Sequence, residues 1–512
     1  AVPEPAMPEM SEKEMTVVLK TVPDGLDNHI CNYNNCTIIV RNIADPLVQW
    51  SPDGFKAALA TSWEVSEDEL SYTFKLREGV KFHDGTPFNA EAVKLNFERV
   101  VNPETKSTNA INQLGPFKSA EVIDEYTVRI NFERPYGAFL NVSASVLAML
   151  SPTSFQTMSR DEALWHPVGT GPFMFKEYVP NESVVLVKNP DYNWAPEVFR
   201  HTGPAYLDQV TFRFIQEDGT RSAALQSGEV QALFQVPDVS IPGFKADANR
   251  YSVIEQLVGG PGVQEVFNAT DPLLQDVRMR QALTYATDRE MIFKTVYLSQ
   301  GIMATGPLSP ATMCYSEEAD NMYAYDPDKA LAILEELGWT KDDKGMLRDK
   351  DGNTLKIEIT SVAVGKGPQI GEVIMSQWGK LGIDARNVIL PSAAIQLATA
   401  QSADFQMIWR DWGASDPNIL SVLFHSKNIG KGWNFSHLAI PELDEFLDQG
   451  DMISDPAKRC EVYAQAQKII ADEALAIPIL YRVTSLAMLA PLKDLWLDGR
   501  GNLYVYDAYV SK

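Results

Sequence analysis

The run Val258-Gly-Gly-Pro-Gly262 stands near the middle of the chain, and no helix or strand of ordinary make-up runs through it. The polypeptide on either side is therefore expected to fold as separate bodies, with a lobe boundary at this run. Length points the same way, because 512 residues exceed the size at which one hydrophobic core stops growing. At 45% hydrophobic and 22% charged residues, each body can bury a substantial core.

The two halves differ in rhythm. Before the glycine run, short strand-like stretches alternate with turns: Thr16–Lys20, Tyr72–Leu76, Tyr126–Phe132, Val184–Lys188, Val210–Ile215 and Val253–Leu257. One amphipathic helix is predicted over Asn89–Val100, with Asn89 as its N-cap and Ala92, Val93, Phe97 and Val100 along the apolar stripe. After the run, helices and strands alternate regularly. Val277–Val296 is predicted as one helix, and Tyr325–Gly338 as another with Pro327 early and glycine at its end. Strand Leu355–Ser361, a helix ending near Leu381-Gly382, strand Ile383–Leu390, helix Ala393–Ala400 and strand Phe405–Trp409 follow. That alternation predicts an α/β lobe with a largely parallel sheet.

Charge and cysteine usage narrow the function. A net charge of −24 repels a phosphate backbone and excludes nucleic acid as a natural partner. Apolar runs such as Val146–Leu150 are far too short to span a bilayer. The opening Ala1-Val-Pro-Glu-Pro fits either a chain trimmed of an export signal or one shortened in another way; export is the expectation. Cys31 and Cys36 are spaced to close a small disulfide loop in an oxidising compartment, and only His29 stands nearby as a further metal ligand. The pairing of Cys314 and Cys460 is left open by their separation.

A search for catalytic chemistry finds no Gly-x-Ser-x-Gly elbow, phosphate-binding loop, His-Glu-x-x-His or Cys-x-x-Cys. The run Gly365–Gly371 misses the dinucleotide fingerprint and reads as a loop. The six histidines, His29, His83, His166, His201, His425 and His437, are scattered rather than clustered. Binding, and not catalysis, is the expected task, with no cofactor.

Four segments carry a resemblance. They are Ala60-Thr-Ser-Trp63 with Tyr72–Phe88 and Ala90-Glu-Ala-Val93; Pro167-Val-Gly-Thr-Gly-Pro-Phe173 with Lys188-Asn-Pro-Asp-Tyr-Asn-Trp194; Val277–Arg289; and Tyr325-Asp-Pro327 through Gly338-Trp339. In this order they resemble the family 5 extracellular solute-binding proteins that serve peptide, nickel and opine ATP-driven (ABC) importers. The resemblance implies an α/β, two-lobe periplasmic-binding-protein fold (type II, cluster C) with a ligand cleft and an extra subdomain in the first lobe. It implies lobe I from residues 1–45, 170–260 and 490–512, the subdomain from 46–169, and lobe II from 261–489. It further implies a monomer, periplasmic or lipid-anchored outside the cell, that hands a small-molecule ligand (a short peptide, or a peptide-like, opine-like or sugar-containing compound) to ABC permease subunits in the inner membrane. A nickel-chelate receptor or a ligand-delivering sensor of the same fold is the alternative.

The same resemblance locates candidate contacts. Peptide receptors of the family carry an aspartate shortly before an Asp-Pro pair, where it anchors the peptide amino terminus. Counting back from Asp416-Pro417, that position is Gly413, while Asp411 stands two residues earlier and Pro391 lies near the place of an upstream tryptophan. Arg410-Asp-Trp-Gly-Ala414 is closer to nickel-chelate receptors. Arg410 reads either as a planar fork for a carboxylate or phosphate, or as a structural arginine paired with Asp411 or a surface carboxylate. Trp412 reads either as a stacking surface for the ligand or as core beneath the site. Tyr33 and Asn34 face the ligand by family analogy, or belong to a surface disulfide loop.

Overall fold

The computed structural model describes residues 13–31, 34–51, 53–107, 109–363 and 365–511. The chain divides into two units, one of residues 1–256 and 484–512 and the other of residues 257–483.

The first unit is built on a seven-stranded sheet. Its order is Tyr251–Leu257, Val483–Leu489, Ala232–Phe234, Glu14–Leu19, Gln209–Phe214, Ser183–Lys188 and Phe173–Val179. Glu14–Leu19 runs parallel to both its neighbours, and Val17 and Leu19 enter one apolar cluster while Val18 enters another, as alternation along a strand requires. Residues 484–489 were expected in the other lobe. They belong here because Leu486–Met488 pair with Ala232–Phe234, so a hydrogen-bonded ladder sets this boundary. A four-stranded antiparallel sheet, Ala60–Val65, Ser71–Leu76, Thr127–Phe132 and Phe117–Asp124, lies in the stretch expected to form a subdomain. Its apolar side (Tyr72, Phe74, Val128, Ile130) joins the same cluster as Val17 and Phe212. The helix Ala90–Val101 covers it, with Asn89 capping through Ala92 N–H at 3.0 Å. Cys31 and Cys36 form a disulfide in this unit.

The second unit, which carries the residues of interest, contains β1 (Gly262–Phe267), α1 (Val277–Tyr285), α2 (Arg289–Val296), β2 (Ile302–Met303), β3 (Lys356–Val362), α3 (Gly367–Leu381), β4 (Asp384–Leu390), α4 (Ala393–Gln401), β5 (Met407–Trp412), α5 (Pro456–Asp472) and β6 (Ala476–Tyr481). The sheet order is β2-β6-β1-β5-β3-β4. Only β3 with β4 and β3 with β5 are parallel; the other pairs are antiparallel, which corrects the expectation of a largely parallel sheet. Connectivity explains the difference. The chain enters the unit just before β1 and leaves just after β6, and the pairing of Val263 with Leu480 sets that entry beside that exit. Two adjacent strands used this way must run antiparallel.

Two local expectations also change. The single helix over 277–296 is two, because Asp288 leaves helical geometry to accept a hydrogen bond from Met291 N–H and so caps α2. The glycine run 365–371 is mostly helix: α3 begins at Gly367 with Pro368 in its first turn, where a missing N–H costs nothing.

One row across the sheet breaks the apolar pattern. Glu265 on β1 lies opposite Trp409 on β5 and Ile477 on β6. Its side chain is 0% exposed, and both carboxyl oxygens lack a hydrogen-bond partner, as do Trp409 Nε1 and Ser361 Oγ. Burial pushes the Glu265 carboxyl well above its ordinary 4.5. The folded state holds this proton while the unfolded chain releases it, so stability is lost as pH rises above 4.5. Glu265→Gln is therefore expected to gain thermal stability over wild type from mildly acidic to alkaline pH, at up to about 1.4 kcal/mol per pH unit. Melting curves across that range test it; a difference independent of pH would show that Glu265 is not buried as an acid.

Candidate functional site

The end of β5 gathers the candidate residues. Ile408, Arg410 and Trp412 share one side of the strand, and Trp409 and Asp411 the other, because side chains alternate. This end coincides with the carboxyl ends of the parallel strands β3 and β4, the place where open α/β sheets bind ligands.

Arg410 is held from two directions. Its Nη1 donates to Gln396 Oε1 of α4 at 2.9 Å, and the Gln396 amide nitrogen donates to the Trp409 carbonyl at 3.1 Å, which fixes the amide's orientation. The guanidinium carbon lies 4.2 Å from the Phe435 ring centroid and 5.7 Å from that of Trp433, both cation–π distances. The side chain is 9% exposed, and Nε and Nη2 have no partner. Burial alone pushes its pKa down to about 10, with no carboxylate opposing the shift.

Asp411 does not neutralise Arg410. It points to the other side of the strand, 3.5 Å from Arg482 Nε. That guanidinium also occupies the space beside Gly413: a Cβ added there would lie 2.6 Å from Arg482 Nη1. Gly413, the position where the sequence count expects an amine-binding aspartate in a peptide receptor, thus faces a cation. Trp412 is half-buried and packs against two apolar clusters, one around Leu420 and Leu443 and one around Ile408 and Phe435. Its ring meets Trp433 edge-on, with centroids 5.0 Å apart. Trp433, Phe435, Gln396 and Arg482 were not singled out in the sequence; the Gly430-Lys-Gly-Trp433 turn was the only local hint. Tyr33 lies outside the described residues. Asn34 opens the helix Asn34–Val40 in the first unit, and its side chain is outside the described set.

The turn after β5 is fastened on several sides. Gly259 accepts from Ala414 N–H at 2.9 Å, and Ser415 accepts from Met313 N–H at 3.0 Å. Gly260, at φ +107°, sits so close that an added Cβ would lie 2.5 Å from Ala414 N and 2.9 Å from Gly413 Cα. This is the physical content of the glycine run: backbone packs directly on backbone. Asp416 then receives two hydrogen bonds from Arg459 of α5, at 2.8 and 2.7 Å, with both side chains 3% exposed. Burial works to lower the Arg459 pKa, but Asp416, Tyr463 and Asp451 together outweigh it and raise it. The adjacent Cys460 is bridged to Cys314. Among the described residues no group of His, Cys, Asp or Glu is arranged to hold a metal ion.

Arg459→Met would leave Asp416 as an uncompensated buried charge and is expected to cost about 3–5 kcal/mol. Denaturant unfolding measures this; a loss under about 1 kcal/mol would show the pair to be solvated.

Comparison with known proteins was made after this geometry. Residues 54–431 match the family described as bacterial extracellular solute-binding proteins, family 5 Middle. The glutathione-binding protein GsiB of Shigella flexneri is 30% identical over 453 residues, 86% of this chain and 83% of that protein. The structure of HbpA2 from Haemophilus parasuis superposes with a TM-score of 0.85 at 26% identity, over 98% of this chain and 100% of the other. The oligopeptide-binding protein AppA from Bacillus subtilis, solved with a nonapeptide, gives 0.76 at 25% identity over 98% and 99% of the two chains.

Proposed function

Because the chain belongs to the bacterial extracellular solute-binding proteins of family 5, we propose that it receives a small peptide-like or opine-like solute and delivers it to the permease of an ABC importer. Family members bind small ligands and pass them to such permeases. The chain works outside the cytoplasm, periplasmic or lipid-anchored, and releases its solute chemically unchanged. The peptide names of its relatives favour this cargo over a nickel chelate.

The observation that carries the finer reading is the pair Gly413 and Arg482. An ordinary dipeptide presents a free ammonium group, and a guanidinium beside Gly413 repels it. Asp411 is the nearby carboxylate, and it already faces that guanidinium. The solute is therefore one whose ammonium group is absent, or neutralised by a carboxylate on the same carbon. Glutathione, named for the GsiB relatives, has two carboxylates and is the first solute to offer.

Gentle unfolding of the purified protein followed by mass spectrometry is expected to release such a solute, and adding it back to be followed by a rise in melting temperature. Recovery of a simple dipeptide with a free amine would overturn the argument from Gly413. Conversion of the added solute to a product would overturn the receptor reading itself.

A further inference from the structure

We propose that the Nε/Nη2 edge of Arg410 is a preformed two-point seat for an oxyanion of the solute, a carboxylate or phosphate. This inference rests on the receptor reading above and names the group that the second unit grips.

A guanidinium offers its donors in a plane, and the edge formed by Nε and one terminal nitrogen matches the two oxygens of a carboxylate or phosphate. In Arg410 the other terminal nitrogen, Nη1, is committed to Gln396, whose amide is oriented by the Trp409 carbonyl. The two nitrogens without partners are the pair that forms the edge. The flat face is taken by Phe435 at 4.2 Å, so the plane of the fork is set as well as its position. Every neighbour that fixes the side chain is neutral. The adjacent Asp411 turns to Arg482, leaving two guanidinium groups against one carboxylate at the end of β5.

A buried cation without a counter-charge is costly; Arg459 is satisfied by an aspartate and a carbonyl, and Arg289 by carbonyls on both terminal nitrogens, whereas Arg410 has one amide. An arriving oxyanion supplies what Arg410 lacks. Nε and Nη2 are shielded from solvent in this conformation. Trp433, whose ring centroid lies 5.7 Å from the guanidinium carbon, is the partly exposed neighbour of this fork, at 36%.

The experiment uses the whole chain labelled with ¹⁵N-arginine, with the Arg410 Nε–H resonance assigned by its loss in Arg410→Lys. If that variant does not fold, displacement of the resonance in Gln396→Leu assigns it instead. Sodium acetate, sodium phosphate and sodium chloride are titrated separately at matched ionic strength. A saturable shift with acetate or phosphate beyond that with chloride is expected, and the stronger of the two names the source as carboxylate or phosphate. No shift, or one equal to that of chloride, would overturn the proposal. For the solute released from wild type, Arg410→Lys should weaken binding about 10- to 100-fold, since it keeps the charge and loses the fork. Equal binding by both proteins would remove the fork and leave the receptor reading standing. Failure of wild type to bind any released or offered solute would sink the receptor reading, while the acetate titration would still decide the fork.

Discussion

The buried pair between Asp416 and Arg459 governs where the end of β5 can lie. It ties the turn after the strand to α5, and α5 is tied by Cys460 to the segment around Cys314. That same segment meets the turn again, where Met313 N–H donates to the Ser415 carbonyl, and Thr312 Oγ1 accepts from the N–H of Gly260, which packs on the turn. The backbone that carries Arg410 and Trp412 takes its position from this frame, and their own contacts then orient the two side chains. A binding group displaced by an ångström loses much of its value, so a costly internal charge pair is a reasonable means of holding one.

Two arginines in one unit show what burial does to a charge. Arg459 is almost fully buried, and Asp416 together with Tyr463 and Asp451 more than offsets the loss of water, so its proton is held more firmly than usual. Arg410 is nearly as buried, has an amide and two aromatic rings for company, and binds its proton less firmly than usual. The residue type is the same, but Arg459 has a carboxylate opposite it and a carbonyl on its Nε, while Arg410 has only an amide and aromatic rings.

Much of this could be seen in the sequence. The strand ending in Arg410 and Trp412, the Asn89 cap and the glycine run all follow from local chemistry, and the expected strand Phe405–Trp409 needed only a shift to Met407–Trp412. What escaped depends on contacts between residues far apart in the chain. Gln396 meets Arg410 only because α4 packs back on the sheet, and Arg482 reaches Gly413 only because β6 and β5 both border β1. The mixed sheet escaped for a related reason: regular alternation of helix and strand suggests parallel pairing, while the need to enter and leave at one place dictates otherwise. Glu265 was overlooked because a lone acid in an apolar strand has no local signature.

The two disulfides have very different reach along the chain. Cys31 and Cys36 are 5 residues apart, whereas Cys314 and Cys460 are 146 apart and enclose β3, β4 and β5 in one covalent loop. A chain that crosses a membrane amino terminus first meets oxidant with the short bridge almost at once. The long one must wait until nearly the whole polypeptide has emerged, and its closure restricts the unfolded chain far more. For a chain exported in that way, oxidation would be staged by position, and the thiols that close the long loop around β3, β4 and β5 would be the last to join.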